Sequence, residues 1–349
     1  MPDHSQYMLR CVQLARQGSG YVAPNPMVGS VLVHENRIIG EGWHELYGEA
    51  HAEINCLASV RDEDRELIPM STLYVSLEPC AHFGKTPPCA DRIIAEKIPS
   101  VVVGAPDPFP EVNGRGIEKL LAAGIEVIAG IEQDACITLN KRFFTYTQKH
   151  RPYIILKWAQ SANRKMAGRG DERLMITNDY SNRLVHKWRS EEAAILVGTN
   201  TALIDDPALT TRLWSGRHPV RAVVDMDLRL PPGLKLFNRK YPTIVFNTIM
   251  HQEQDNLLMY EVKREFGLVV QMIHAFHQLK IQSVIVEGGS LLLQSFIDAG
   301  AWDEIRVITN RDLHVAEGLW APELPEIGGR EEFELGNDTI SIYYPEGYI

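Results

Sequence analysis

Cysteine is scarce in this chain, with five residues in 349. A small, odd number of cysteines argues against a disulfide framework and favours a reducing compartment. The first residues lack a basic segment followed by an apolar run, so we predict no signal peptide. No stretch approaches the ~20 consecutive apolar residues that cross a bilayer. We therefore expect a cytoplasmic protein without a membrane partner.

Basic residues are not in excess either, because 35 Lys and Arg are set against 45 Asp and Glu, giving a net charge of −10. Nucleic-acid binding requires basic surface, so we predict no nucleic-acid partner. A pocket lined by local Arg and Lys can still bind a small anion. We expect a small-molecule substrate and a homo-oligomer.

The chain is long for a single hydrophobic core, and its 349 residues fit two domains. A polar break that ends at Pro152 predicts one domain over residues 1–148 and a second domain over residues 149–349. Strand and helix patterns alternate in both halves, which is typical of an α/β protein with helices on both faces of each sheet. The second half lacks the G-x-G-x-x-G motif of an ordinary dinucleotide fold.

Three short segments combine an imidazole, two thiols and a carboxylate: His51-Ala52-Glu53, Pro79-Cys80 and Pro88-Cys89. One His and two Cys match a catalytic zinc site, in which three protein ligands leave the fourth position open. Glu53 fits the non-ligand general acid/base of the zinc deaminases. A structural zinc is the alternative, but such a site usually has four ligands and no adjacent Glu.

Local patterns support thiolate ligands at this site. Residues 51–60 and 89–97 are predicted as helices, which places His51 and Glu53 in one first turn and Cys89 at the start of the other helix. The partial positive charge of a helix N-terminus favours thiolate over thiol. Cys11, Cys56 and Cys136 lie in apolar helical patterns and are interpreted as buried thiols.

This residue set indicates hydrolytic deamination of a nitrogen heterocycle. Zinc lowers the pKa of bound water from ~15.7 towards ~7, and Glu53 would take that proton and return it to the ring nitrogen and the departing amine. The products are a keto group and ammonia. Asn25, between two prolines, is either a hydrogen-bonding partner of the ring or a simple turn residue. His44 is either a substrate contact or a structural histidine.

Longer motifs extend over nearly the whole chain and resemble the bifunctional deaminase/reductase family of riboflavin biosynthesis. The insert between the two site cysteines, with His82, Gly84, Lys85 and Thr86, is more specific than the general deaminase pattern. The other matching segments are Pro24-Asn25-Pro26-Met27-Val28-Gly29, Gly48-Glu49-Ala50-His51-Ala52-Glu53, Asp107-Pro108, Asn113-Gly114-Arg115-Gly116, Asp205-Asp206-Pro207-Ala208-Leu209-Thr210-Thr211-Arg212 and Val286-Glu287-Gly288-Gly289.

The resemblance implies a cytidine-deaminase-like three-layer domain followed by a dihydrofolate-reductase-like domain. The first would deaminate a pyrimidine ribosyl phosphate, the diaminopyrimidinone 5′-phosphate intermediate of the pathway, and the second would use NADPH to reduce ribosyl to ribityl. It assigns zinc to His51, Cys80 and Cys89, proton donation to Glu53, NADPH contacts to Thr201, Asp205, Gly288 and Gly289, and substrate contacts to Arg189, Leu209, Arg212 and Glu287.

Three stretches depart from the family pattern: Ser161-Ala162-Asn163-Arg164-Lys165, Met175, and Asn310-Arg311-Asp312-Leu313-His314. They lie on the expected cofactor side and predict a change in reductase rate, in the choice between NADPH and NADH, or in competence. A second hypothesis is therefore a deaminase whose reductase-like half binds nucleotide without turnover. A third is a nucleoside or RNA-editing deaminase, which the acidic charge and the long insert between Cys80 and Cys89 disfavour.

Overall fold

The computed structural model describes residues 3–83, 87–168 and 174–347. Gly84, Lys85 and Thr86, which contribute to the family resemblance, lie outside the described residues. The chain forms two compact units, Met1–His150 and Arg151–Ile349. This division falls in the same polar stretch as the predicted boundary between residues 148 and 149. Among the described residues, no helix is long and apolar enough to cross a membrane.

The first unit is built on a five-stranded sheet with the order β2-β1-β3-β4-β5. Strand β1 pairs antiparallel with β2 and β3, whereas β3, β4 and β5 are parallel. β3 and β4 are buried along almost their whole length, as expected for parallel strands covered on both faces. The strands are β1 (Gly29–His34), β2 (Arg37–Trp43), β3 (Thr72–Leu77), β4 (Ser100–Ala105) and β5 (Glu126–Ala129).

Helices cover both faces of this sheet and complete three layers. Their bounds are α1 (His4–Ala15), α2 (Ala52–Ala58), α3 (Cys89–Ala95), α4 (Arg115–Ala122), α5 (Gln133–Leu139) and α6 (Lys141–Lys149). Residues of α2, α3 and α4 share one hydrophobic cluster, and residues of α1, α5 and α6 share a second. Each cluster takes alternate side chains from the strands, so the predicted three-layer arrangement of this unit is confirmed.

Two local predictions were wrong. The sequence pattern over residues 131–145 predicts a single helix, but the chain forms α5 and α6, broken at Asn140 with φ −104° and ψ 22°. The Asn140 side chain bonds to the backbone of Met27, and such a side chain competes with continued helix. His51 was placed inside the first turn of α2, but it is the extended residue before the helix, at φ −78° and ψ 167°. Glu53 alone lies in that first turn.

The second unit is built on a ten-stranded sheet with the order β11-β12-β10-β9-β8-β13-β6-β14-β17-β16. The central strands from β12 to β14 are parallel, and antiparallel pairs close the two edges. These strands are β6 (Tyr153–Ser161), β8 (Ala194–Val197), β9 (Val220–Val224), β10 (Thr243–Asn247), β11 (Gln252–Gln254), β12 (Leu257–Glu261), β13 (Ser283–Val286), β14 (Glu304–Asn310), β16 (Gly329–Leu335) and β17 (Asp338–Tyr344). A separate two-stranded sheet pairs β7 (Lys165–Gly168) with β15 (Gly318–Trp320).

Helices pack on both faces of the large sheet. α7 (Asp179–Glu191) and α8 (Thr199–Asp205) contribute to one hydrophobic cluster, and α9 (Leu268–Gln278) and α10 (Ser290–Asp298) contribute to the other. β8 is followed by a turn and then α8, and β13 is followed by a turn and then α10. Because these strands are parallel neighbours, both turns lie at the same edge of the sheet.

Candidate functional site

The predicted zinc ligands converge in the first unit. One donor atom from each of His51, Cys80 and Cys89 lies within 4.8 Å of the others. His51 Nδ1 is 3.3 Å from Cys89 Sγ and 3.6 Å from Cys80 Sγ. His51 is placed by the start of α2, Cys80 by the loop after β3, and Cys89 by the first residue of α3. The starts of α2 and α3 and the loop after β3 lie close together, and they bring together three residues that are up to 38 positions apart.

Electrostatics in this cluster favour a bound cation. The hydrogen bond from Cys89 lowers the pKa of the Cys80 thiol to about 4, against the effect of burial, with His51 acting in the same direction as Cys89. The resulting Cys80 thiolate and burial raise the pKa of Cys89. A second thiolate is therefore disfavoured in the absence of a positive partner. Two soft sulfurs and one imidazole fit Zn²⁺, which neutralises both thiolates.

Glu53 lies beside the cluster and is 3% exposed. Burial raises the pKa of its carboxyl to about 7, and the charge on Cys80 adds to this effect while His51 opposes it. A carboxyl group whose pKa lies near neutrality can both accept and return a proton at physiological pH. Its position and its burial match the general acid/base predicted from the sequence.

Asn25 and His44 are connected to the same cluster. Asn25 Nδ2 lies 3.1 Å from His44 Nε2, and His44 Nδ1 lies 2.9 Å from the carbonyl oxygen of Ala50. Since Ala50 O can only accept, His44 carries its proton on Nδ1 and Nε2 accepts from Asn25. Burial lowers the pKa of His44, which keeps the ring neutral. The rings of His44 and His51 are 5.3 Å apart in an edge-on contact.

Glu78, to which the sequence analysis gave no role, anchors the loops around Cys80. Its two carboxylate oxygens accept backbone N–H bonds of 2.9–3.2 Å from Asp107, Gly114, Gly116 and Ile117. Gly116 packs so closely that a Cβ there would lie 2.0 Å from Pro79 O. The position of Glu78 directly before Pro79-Cys80 is the signal that could have suggested this role.

In the second unit, the predicted substrate residues Arg189 and Glu287 pair with each other. Arg189 Nε and Nη2 donate to the two carboxylate oxygens of Glu287 at 2.9 and 2.6 Å. Lys157 Nζ, another residue that the sequence analysis did not select, lies 3.6 Å from the same carboxylate. Burial acts to raise the pKa of Glu287, but Arg189 and Lys157 outweigh it and lower the pKa to about 2. The cluster therefore holds an ionised carboxylate between two cations.

Arg212 joins this region through His186. The backbone N–H of Arg212 donates to His186 Nδ1 at 3.0 Å, and the Arg212 side chain is exposed. Burial lowers the pKa of His186 to about 4, and Arg189 and Arg212 add to that effect. Leu209 is 2% exposed with φ 50°, so its side chain packs in the core. Arg189, Lys157 and Arg212 give this region more cationic than anionic side chains, and its role in substrate binding stays a prediction.

Of the predicted NADPH residues, Gly288 and Gly289 lie in the turn after β13, whereas Thr201 and Asp205 lie in α8, the helix that follows β8. A Cβ on Gly288 would lie 2.8 Å from Thr201 Cγ2, so the absence of a side chain lets α8 approach this turn. Gly289 has φ 71°, a conformation that favours glycine, and it directly precedes α10. Backbone N–H groups at the start of α10 can receive a phosphate, so the turn fits a dinucleotide. Asp205 is the last residue of α8.

The departing stretches contact one another. Asn163 Nδ2 donates to Val315 O at 2.8 Å, and Val315 N donates to Asn163 Oδ1 at 3.1 Å. Ala162 N donates to Leu313 O at 2.8 Å. Residues 162 and 163 are therefore hydrogen-bonded to Leu313 and Val315, in the segment that follows β14. Met175 is 61% exposed.

Two family models match the chain. The cytidine and deoxycytidylate deaminase zinc-binding region matches residues 1–105, and the RibD C-terminal domain matches residues 152–310. The first range contains the whole predicted zinc set with Glu53, and the second contains the Arg189–Glu287 pair and the Gly288–Gly289 turn. The two matches confirm a deaminase-like unit followed by a reductase unit.

Relatives match over nearly the full length. The chain is 40% identical over 324 residues to the riboflavin biosynthesis protein RibD of Aquifex aeolicus, covering 90% of this chain and 88% of the relative. It is 36% identical to RibD of Escherichia coli, with 86% of each covered. A Thermotoga maritima diaminohydroxyphosphoribosylaminopyrimidine deaminase/5-amino-6-(5-phosphoribosylamino)uracil reductase superposes with a TM-score of 0.89 at 33% identity, covering 98% of both chains. The chain belongs to the RibD family of bifunctional deaminase/reductases of riboflavin biosynthesis.

Proposed function

We propose that this enzyme deaminates 2,5-diamino-6-ribosylamino-4(3H)-pyrimidinone 5′-phosphate in its first unit and reduces the ribosyl group of the product to ribityl in its second. The observation that carries the first step is the approach of His51, Cys80 and Cys89 beside the buried carboxyl of Glu53. The RibD relatives, with their matching order of domains, support the second step.

In the deaminase unit, His51, Cys80 and Cys89 would hold zinc, which when bound supplies a water with a pKa near ~7. Glu53 would accept one proton of the water at its carboxylate and give it to the ring nitrogen. It would then take the second proton from the hydroxyl added to the carbon and give it to the departing amine. The bond from carbon to the amino nitrogen breaks, a carbon–oxygen bond from water forms, and ammonia leaves. Burial of Glu53 favours these transfers, since it brings the pKa of the carboxyl to about 7.

Asn25 and His44 would orient the pyrimidine ring. One N–H of the Asn25 amide is directed to His44 Nε2, which fixes the amide plane. The Asn25 side-chain oxygen has no hydrogen bond within residues 3–83, 87–168 and 174–347, and it is only partly buried. It is therefore suited to accept a hydrogen bond from a ring N–H or an exocyclic amine.

In the reductase unit, NADPH supplies the hydride when it is bound, and the residues of the chain orient the two reactants. The turn at Gly288-Gly289, with Thr201 and Asp205, would bind the cofactor. Glu287, held by Arg189, would accept a hydrogen bond from the sugar hydroxyls. Exposed Arg212 would bind the 5′-phosphate, while Leu209 would shape the pocket through its backbone.

The same proposal includes partners and compartment. The net charge of −10 supports a small-molecule substrate with no role for nucleic acid or membrane, in a cytoplasmic enzyme. We include homo-oligomer formation, which light scattering on a sizing column tests by the molar mass relative to 39.4 kDa for one chain. Retention of RNA on a filter by the purified protein would contradict the exclusion of nucleic acid.

A coupled assay tests both steps. Zinc-loaded protein receives the diaminopyrimidine phosphate and NADPH, and ammonia and NADPH absorbance are followed separately. We expect ammonia release first and NADPH oxidation after it. Ammonia release without oxidation, together with NADPH binding in a fluorescence titration, would instead support a reductase-like unit that only binds nucleotide. Absence of both signals would reject the proposal.

A further inference from the structure

A buried side chain at the junction of two helices holds the loop that carries Asn25. Asn140 lies between α5 and α6 and is 3% exposed. Its Oδ1 accepts from Met27 N at 2.8 Å, and its Nδ2 donates to Met27 O at 2.8 Å. The side-chain amide thus satisfies both backbone polar groups of a residue 113 positions away. A buried polar pair of this geometry fixes the position of Met27.

Two hydrogen bonds donated by backbone N–H groups also hold the loop around Asn25, one at Asn25 itself and one at Gly29, where β1 begins. Asn25 N donates to Val22 O at 2.9 Å, and Gly29 N donates to Ser76 Oγ at 3.1 Å. Between these anchors, Met27 is held by Asn140 alone among the hydrogen bonds of the described residues. The prolines at 24 and 26 limit the backbone, so displacement of Met27 is transmitted to Asn25.

The hydrogen bonds continue from this loop to the metal cluster. Asn25 donates to His44, and His44 donates to Ala50 O, the residue directly before His51. Asn140 therefore stands at the outer end of a path that runs through Met27, Asn25 and His44.

We propose that Asn140 is a positioning residue for deamination, which acts by holding Met27 and thereby setting the position of the Asn25 amide. The proposal rests on the substrate contact assigned to Asn25 in the proposed function. Among the described residues, both side-chain hydrogen bonds of Asn140 go to backbone atoms of Met27, and neither goes to a residue of the metal cluster or to Glu53. Its replacement is therefore expected to weaken substrate binding and to leave zinc bound.

A matched control exists in the reductase unit. Asn163 makes the same pair of bonds, with Val315, at 2.8 and 3.1 Å. Asn163 Oδ1 also accepts from Ser161 Oγ at 2.8 Å, and Asn163 is half-buried. Asn163→Ala therefore removes a comparable amide from the same polypeptide, in the unit without the zinc cluster. Any loss of stability that follows from removing such an amide should appear in both alanine variants. An effect on deamination that acts through Asn25 should appear in Asn140→Ala alone.

The test compares Asn140→Ala, Asn25→Ala and the double variant in the full-length, zinc-loaded enzyme. We expect Asn140→Ala to raise the KM for deamination on the order of tenfold, the effect of losing one well-placed hydrogen bond, with a smaller change in kcat. Zinc content and NADPH oxidation with separately supplied deaminated product should stay at wild-type values. Asn163→Ala should leave the deamination KM unchanged.

The double variant decides whether Asn140 acts through Asn25. If it does, the two effects are not additive, and the double variant matches Asn25→Ala within twofold. Additive effects, an unchanged KM in Asn140→Ala, or loss of zinc in parallel with activity would overturn the proposal. If Asn140→Ala does not fold, Asn140→Asp replaces it, since it keeps the acceptor for Met27 N and loses the donor to Met27 O. Absence of deamination in the wild-type enzyme would reject the proposed function instead.

Discussion

The two units assemble their sites in different ways. In the first, three donor atoms lie within 4.8 Å of one another and carry thiol and imidazole chemistry that has few uses other than metal binding. In the second, Arg189 and Glu287 neutralise each other at 2.6–2.9 Å, and their role depends on what approaches them. The comparison shows that the chemistry of a metal site can be inferred from the types of its ligands. The chemistry of a site made of paired charges can be inferred only from its geometry.

The largest difference between the activities of the two units is expected from a change at Glu53, the carboxyl group beside the metal cluster. Glu53→Gln keeps the shape of the side chain but cannot transfer a proton, so kcat for deamination should fall about 10³-fold. Zinc content, measured by elemental analysis, and NADPH oxidation should not change. Glu66→Gln, which alters an exposed carboxylate in the same unit, is the control and should have wild-type kcat. A deamination rate within tenfold of wild type in Glu53→Gln would remove Glu53 from the mechanism.

A change in the paired charges of the second unit should lower the stability of that unit. Glu287→Gln leaves the guanidinium of Arg189, 14% exposed, and the ammonium of Lys157, 11% exposed, without their shared carboxylate. Removing one partner of a buried pair costs about 3–5 kcal/mol, so the urea midpoint of this unit should fall. The zinc content of the first unit should be retained. A midpoint equal to that of the wild type would mean that the pair is not a structural unit.

Much of the architecture could be predicted where local signals agree. The sequence predicts strands over residues 72–77 and 243–247, because each is a compact apolar run bounded by polar residues, and these ranges coincide with β3 and β10. β16 was not predicted, since its residues are nearly all exposed at a sheet edge and show no apolar face. α9 was not predicted either, because Gly267 supplies no capping side chain and Val269 and Val270 favour strand locally.

The sites follow the same rule. The approach of His51, Cys80 and Cys89 could be predicted although they are 29 and 38 positions apart, because each lies in a short motif of the zinc deaminases. Glu78, Asn140 and Lys157 were missed, since each is a single polar residue to which no motif gave a role, and its partner is at least 29 residues away along the chain. The pairing of residues 161–165 with the segment around Val315 was missed for the same reason. Contacts between residues so far apart in the chain arise when the sheet packs, and no local sequence pattern marks them.

The pH dependence of stability provides a smaller test of the same charge cluster. Arg189 and Lys157 hold the pKa of Glu287 at about 2 in the folded chain, against an ordinary value of 4.5. A carboxyl whose folded pKa is depressed stabilises the fold above its unfolded pKa, and that contribution is lost as the pH falls from about 4.5 towards about 2. The urea midpoint of the wild type should therefore drop over this range more steeply than that of Glu287→Gln. Parallel pH curves for the two proteins would contradict the depressed pKa.

The smallest effect concerns the departure at Arg164. Arg164 has φ 60°, a conformation that costs a residue with a Cβ about 1 kcal/mol and suits glycine. Its side chain contributes one bond of 3.2 Å to Pro322 O, and its backbone carbonyl accepts from Ala321 N at 2.9 Å. Arg164→Ala removes the side-chain bond and keeps the Cβ, whereas Arg164→Gly removes both. The difference between the two variants therefore isolates the backbone term, and we expect the Gly variant to be more stable by about 1 kcal/mol in urea unfolding. Equal stability of the two variants would show that the turn has relaxed around Arg164. If the Gly variant also oxidises NADPH at the wild-type rate, the departure at residues 161–165 is a matter of local stability and leaves the reductase chemistry intact.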